Sequence, residues 1–218
     1  VYKRQIFNRV AAQKQAAKYG RRNPNTTYGT NPCSEIILRD KQFCNLTEVI
    51  IRKEDGIKEL HKKVRIATIL GTFQASLTKF GILSEQWRKN TEEEALLGVS
   101  LTGIMDNLIT SGQWDKKELE VILSELREAT VETNKQVAEM LDIKPSAAIT
   151  CVKPSGTVSQ LCDTASGIHA RHSSHYIRTV RIDKKDPVYT MLKAQGMSVE
   201  DDAMRPDSTA VVSFPQVA

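Results

Sequence analysis

Short apolar runs set between long amphipathic stretches limit this chain to one fold class. Leu96-Leu97-Gly98-Val99-Ser100-Leu101 and Ala147 to Val152 are nearly continuous in apolar and small residues, the pattern of a strand covered on both faces. Between them, Asp115 to Leu141 carries Leu119, Ile122, Leu126, Ala129, Val137 and Leu141 at helical spacing, an apolar stripe along one side of a long helix. A second long helix is expected from Asp55 through Ile57, Leu60, Val64, Ile66, Ile69, Phe73 and Leu77 to a stop at Phe80-Gly81. Buried strands alternating with long helices mean an α/β fold of crossover units. The order is compatible with a barrel.

The rest of the chain punctuates this pattern. Tyr2 to Gly20 reads as a helix, with Ile6, Val10, Ala11 and Ala17 in period and Gly20 at its end. A loop over 21–32 leads to two short strands, Glu35 to Leu38 and Phe43 to Ile51, expected to form a hairpin about Arg39-Asp40-Lys41. Ser84 to Ala95 reads as a polar helix capped by Ser84, and Gly103 to Ile109 as a short one. Tyr176 to Ile182 and Thr209 to Phe214 read as strands, with a helix over Pro187 to Gln195 between them.

Composition narrows the function classes. Hydrophobic residues at 40% and charged residues at 26% are ordinary for a globular protein. A net charge of +5 suits anionic substrates such as nucleotides, but no basic tract argues for nucleic-acid binding. No apolar run reaches the roughly 18 residues of a membrane span, and no signal peptide is visible. The chain begins at Val1 and ends in a strand-like run, so both ends read as cut. Cys33, Cys44, Cys151 and Cys162 are too few for a disulfide scaffold and contain no C-x-x-C, which favours a reducing compartment over a zinc site.

The chemistry-bearing stretch is Asn31-Pro32-Cys33-Ser34-Glu35-Ile36, followed by Phe43-Cys44-Asn45-Leu46. Asn31, Cys33 and Glu35 are two apart, so an extended segment points all three the same way. A thiol can give up a hydrogen atom, a carboxylate can take a proton, and an amide can hold a hydroxyl. Apolar Ile36, Ile37 and Leu38 place Glu35 near the interior, where an unpartnered carboxylate is costly. If the hairpin forms, Cys44 faces about Ile37 and lies diagonal to Cys33, which disfavours a direct pairing of the two. Lys153-Pro154-Ser155-Gly156-Thr157-Val158-Ser159 reads either as a capped β–α turn or as a phosphate cradle; it is not a Walker A loop. His169, His172 and His175 are three apart, but the neighbouring Ser173-Ser174 and the later alternation oppose a helical metal face, so no metal site is assigned.

These motifs together resemble the ribonucleotide reductase large (catalytic) chain. Thr30 to Ile36 is similar to that family's finger-loop signature, and Phe43-Cys44-Asn45-Leu46 to its Cys-Asn-Leu segment. Gly98-Val99-Ser100-Leu101-Thr102-Gly103-Ile104-Met105-Asp106 looks like a structural barrel segment, and Lys153 to Ser159 like the loop that holds substrate phosphates. The gap of eleven residues between Cys33 and Cys44 (44 − 33), and Gly167-Ile168-His169 followed by Tyr176-Ile177-Arg178, are similar to the adenosylcobalamin-dependent (class II) branch.

The resemblance implies part of a ten-stranded α/β barrel. Residues 1–218 would be a partial catalytic domain, with a central finger loop at about 28–44 and a phosphate loop at about 153–159. The effector region and the C-terminal part would be absent, and the fragment alone inactive. The implied activity is reduction of ribonucleoside di- or triphosphates to 2′-deoxyribonucleotides in the cytoplasm, for DNA precursor synthesis. Cys33 would carry a thiyl radical, Glu35 would take the 3′-hydroxyl proton and Asn31 would hold the sugar. Cys44, with a second thiol on an upstream strand, would reduce the substrate. Ser155, Gly156, Thr157 and Ser159 would bind phosphate. The implied cofactor is adenosylcobalamin, with a deoxynucleotide effector and a thioredoxin-like reductant as partners. Two alternatives stand beside this reading: the subunit-activated (class I) large chain, and a nucleotide-binding module without chemistry.

Overall fold

The computed structural model describes residues 7–113 and 115–217. Its first half contains α1 (Arg9–Ala17), β1 (Gly29–Thr30), β2 (Ile37–Leu38), β3 (Asn45–Ile50), α2 (Ile57–Ala75), α3 (Glu85–Glu94) and β4 (Leu97–Thr102). A 3₁₀ turn at Ile104–Asp106 follows, then α4 (Lys116–Met140), α5 (Thr157–Leu161), β5 (His175–Asp183), α6 (Pro187–Ala194), β6 (Val199–Asp201) and β7 (Thr209–Val217). The long helices α2 and α4 flank the buried strand β4, as the apolar runs require. Residues 2–6 of the expected first helix lie outside the described residues. The remainder starts at Asn8, whose side chain accepts from the Ala11 amide at 3.1 Å.

β3 and β4 run parallel, from Asn45 against Leu97 to Ile50 against Thr102. The segment around Thr150 lies along the other edge of β4. There the Val99 amide donates to the Ile149 carbonyl at 2.7 Å, and the Cys151 amide to the Val99 carbonyl at 3.0 Å. One side of these strands packs on α2 and α4 through Val49, Leu97, Val99, Leu60, Val64, Ile122 and Leu126, all buried. Asn134 of α4 ties this layer together: it donates to the Thr72 and Ser146 hydroxyls, each at 2.9 Å, and accepts from the Ser146 amide at 2.8 Å.

The expected hairpin between residues 35–38 and 43–51 does not form. β2 pairs antiparallel with β1, Gly29 against Leu38 and Thr30 against Ile37, whereas β3 pairs with β4. The reason is burial. β3 buries Val49 against the helical layer and takes a parallel partner from across a helical connection. Residues 39–42 instead bond outward to α3: the Arg39 guanidinium and the Gln42 amide both donate to the Asn90 carbonyl. α2 also stops at Ala75 rather than near Phe80, where the Ser76 hydroxyl bonds back to the Phe73 carbonyl at 2.7 Å and competes with the helical ladder. Ser84 occupies the N-cap of α3, but its side chain makes no cap bond.

The chain divides into two compact units, one up to Ala170 and one over Arg171–Ala218. In the second, β5, β7 and β6 form an antiparallel sheet in that order. Arg181 of β5 donates to Asp202 at 2.6 Å, and Asp202 also caps the turn at Met204 and Arg205.

Candidate active site

The segment Asn31–Ile36 is the tip of the β1–β2 hairpin, and it is a turn rather than an extended run. Ser34 has φ 64°, in the left-handed region. The Ser34 amide donates to the Asn31 carbonyl at 3.0 Å, and the Ile36 amide to Asn31 Oδ1 at 3.1 Å. The expectation that Asn31, Cys33 and Glu35 share one face through strand alternation is therefore corrected. Asn31 and Glu35 are brought together by the turn itself, because the short polar side chain of Asn31 bonds the backbone within reach and closes it.

A buried ionic knot fixes the base of this hairpin. Arg22 donates to both carboxylate oxygens of Glu94, at 3.1 and 2.8 Å, and to the Ile37 carbonyl at 2.8 Å. The Arg22 and Glu94 side chains are each only 7% exposed. Gln42 adds a bond to Glu94 at 2.6 Å, and the Arg22 guanidinium lies 4.8 Å from the Tyr28 ring centre. The hairpin is thereby anchored to the end of α3, just before β4.

Cys44 stands at the entry to β3. Asn45 secures that entry twice: its backbone amide and its side-chain amide both donate to the Leu96 carbonyl, at 2.9 and 3.1 Å. Before it, Phe43 stacks on Trp87 at 4.7 Å and meets Phe80 edge-on at 5.1 Å. Gly98 is the point where three segments converge. A Cβ there would lie 2.4 Å from Leu46 Cδ2, 3.1 Å from Cys151 Sγ and 3.3 Å from Ile36 Cδ1. The missing side chain at Gly98 is what the ends of the Leu46, Cys151 and Ile36 side chains fill.

Around this point lie Cys33, Glu35, Cys44, Cys151 and Lys153. None of the four cysteines is in a disulfide. Burial, and then the neighbouring Cys151, push the Cys44 thiol up to about 12; burial and then Glu35 push Cys151 up to about 12 as well. Both therefore remain S–H at neutral pH. The Glu35 side chain is 1% exposed, and Lys153 Nζ lies 3.0 Å from its Oε1. Burial would raise the Glu35 carboxyl, but its own backbone amide, the Asn31 side chain and Lys153 together hold it below the usual carboxylate value. Its second oxygen, Oε2, is buried and has no hydrogen-bond partner among the described residues.

The loop after Cys151 carries the other expected site residues. Gly156 and Thr157 are exposed. Ser155 Oγ is buried with no partner among the described residues, while the Ser155 carbonyl accepts from the Ser166 hydroxyl. Ser159 is fully buried, and its hydroxyl donates to the Gly156 carbonyl at 2.8 Å; it shapes the loop from within. α5 is a single short turn, so its dipole adds little to anion binding. No group of three His, Cys, Asp or Glu among the described residues is placed to hold a metal ion. The sequence reading missed Lys153 as a partner of Glu35, Cys151 as a neighbour of Cys44, and Arg22–Glu94 as the anchor. Each spans more than fifty residues of chain, and no local pattern signals it.

No protein-family model matches the chain. It is 30% identical to an adenosylcobalamin-dependent ribonucleoside-triphosphate reductase of Euglena gracilis, over 87% of this chain and 25% of that protein. The enzyme of the same description from Lactobacillus acidophilus is 30% identical over 86% of the chain and 28% of its own length. That from Lacticaseibacillus paracasei is 28% identical over 96% and 30%. Among solved structures, a B12-dependent (class II) ribonucleotide reductase superposes with a TM-score of 0.72 at 25% identity, over 87% of this chain and 29% of that one. The chain thus spans less than a third of the length of these relatives.

Proposed function

We propose that this chain, a relative of the adenosylcobalamin-dependent ribonucleotide reductases over most of its length, forms part of the ten-stranded catalytic barrel of such an enzyme and carries its radical finger. The observation that carries this reading is Glu35: a buried carboxylate kept ionised by its neighbours, with one oxygen unpartnered, between the Cys33 turn and the Cys44 strand. An acceptor of that kind is what removal of a hydroxyl proton needs. A module that only binds nucleotides has no use for it.

Cys33 fits the proposed cofactor as a half-buried thiol, outside any disulfide, on the turn that also holds the base. Adenosylcobalamin, when bound, supplies the one-electron chemistry that removes the hydrogen atom from that thiol. The Cys33 sulfur then takes the 3′ hydrogen atom of the ribose, while Glu35 accepts the 3′-hydroxyl proton and Asn31 orients the sugar. The 2′-hydroxyl leaves as water. Cys44 and a second thiol supply two electrons and two protons and end as a disulfide, and the 3′ hydrogen returns from Cys33. One ribonucleotide and two thiols thus give one deoxyribonucleotide, one water and one disulfide. Exposed Gly156 and Thr157, with the unpartnered Ser155 hydroxyl, receive the phosphates, and Ser159 holds the loop in shape. A thioredoxin-like dithiol protein reduces the Cys44 disulfide by exchange, and a deoxynucleotide effector tunes the enzyme from a separate site.

The test is turnover by the full-length enzyme. Cys33→Ala should abolish deoxyribonucleotide formation, and Cys44→Ala should block substrate reduction. Normal activity in Cys33→Ala would overturn the reading.

A further inference from the structure

Among the groups gathered near Gly98, Lys153 has no part in the scheme above, yet it makes the direct ion pair with the proposed base. We propose that Lys153 is a positioning residue for Glu35: its ammonium occupies Oε1, so that the carboxylate stays ionised and presents Oε2 to the substrate. The inference rests on the reductase reading for its chemistry, but its geometry stands independently.

Three observations carry it. Lys153 Nζ and Glu35 Oε1 are 3.0 Å apart, with the Glu35 side chain 1% and the Lys153 side chain 25% exposed. Oε2 of the same carboxylate is buried and unpartnered among the described residues. The pair joins two segments 118 residues apart in sequence, so it fixes the finger against the start of the phosphate loop. A buried carboxylate without a cation gains a proton instead, and a protonated Glu35 cannot accept one from a hydroxyl.

Besides the Asn31 side chain, the other titratable groups near Glu35 are the thiols of Cys44 from β3 and Cys151 beside the loop, and the Cys33 thiol lies near Lys153. Cys44 and Cys151 are neutral at neutral pH, so neither replaces the ammonium. Two charged groups also act on these thiols, Arg22 on Cys44 and Glu48 on Cys151.

The experiment compares wild type, Lys153→Met, Lys153→Arg and Glu35→Gln in the full-length enzyme. Infrared difference spectra of each Lys153 form, referenced to Glu35→Gln across a pH titration, report Glu35 ionisation whether or not the enzyme turns over. The expected result is a carboxylate in wild type and in Lys153→Arg at about pH 7, and a protonated carboxyl band in Lys153→Met. In turnover, Lys153→Met should lose about tenfold or more in kcat near pH 6.5, recovering as pH rises, with KM changed less than about threefold and Lys153→Arg restoring most of the rate. Identical Glu35 titration in wild type and Lys153→Met would overturn the proposal, as would a pH-independent loss that arginine does not rescue. Failure of the reductase reading would show separately, as absent turnover in wild type beside an intact infrared contrast.

Discussion

At the scale of single residues, the site depends on which groups are charged. Glu35 is held ionised, whereas Cys44 and Cys151 are held neutral. The two thiols sit at about 12 in the fold against an ordinary value of 9.0. Their raised values mean that the stabilisation is complete below pH 9 and is lost as pH climbs toward 12. Thermal unfolding across that range should show a falling Tm, and Cys44→Ser/Cys151→Ser should flatten the slope. Glu35 has the opposite sign: its carboxyl is depressed, so its contribution is present above the ordinary carboxylate range and is lost on acidification. The same neutrality predicts slow alkylation. Iodoacetamide at about pH 8 should label Cys44 and Cys151 far more slowly in the native chain than after denaturation, as read by mass spectrometry, because the thiolate is the reactive form.

At the scale of elements, two devices fix the packing. The first is the Arg22–Glu94 knot. Removing one partner of a buried pair leaves the other charge uncompensated, so Glu94→Ala should cost about 3–5 kcal/mol in a denaturant titration. The second is close approach at glycine. Gly103 has φ +78°, and a Cβ there would lie 2.5 Å from the Ile51 carbonyl oxygen. Gly103→Ala meets rigid backbone and should cost about 2 kcal/mol or more. At Gly98 the nearest atoms are the ends of the Leu46, Cys151 and Ile36 side chains, which can turn aside, so Gly98→Ala should cost about 1 kcal/mol. Because Ile36 adjoins Glu35, Gly98→Ala should nevertheless depress kcat in the full-length enzyme more than Gly103→Ala does. Equal effects on stability and on rate would contradict this division.

At the scale of the whole molecule, the unit up to Ala170 is a layered α/β arrangement in which helices cover one side of parallel strands, and Cys44 and Cys151 gather with Glu35 beside Gly98. The relatives are described as adenosylcobalamin-dependent, which sets the expectation for the intact enzyme. Adenosylcobalamin, a dithiol and a ribonucleotide should suffice for turnover without a second protein. A requirement for a separate radical-generating subunit would point instead to the class I branch.

The sequence by itself determined the fold class, the two long helices and the buried strand at β4, and it singled out the two motifs to which the proposed chemistry is assigned; the expected strand over 147–152 is only a bridge at Thr150. These are local signals: a helical stripe, an apolar run, or a polar cluster can be read within a dozen residues. Only the tertiary structure decided that residues 31–36 form a turn, that β3 pairs with β4 rather than with β2, and that Lys153 and Cys151 join Glu35 and Cys44. Strand partners are chosen by which surfaces can be buried together, and ion pairs by which segments that burial brings within reach. Neither choice is encoded in the spacing of neighbours along the chain. The hairpin tip thus owes its composition to the sequence, and the ion pair on Glu35 to a lysine that folding delivers from more than a hundred residues away.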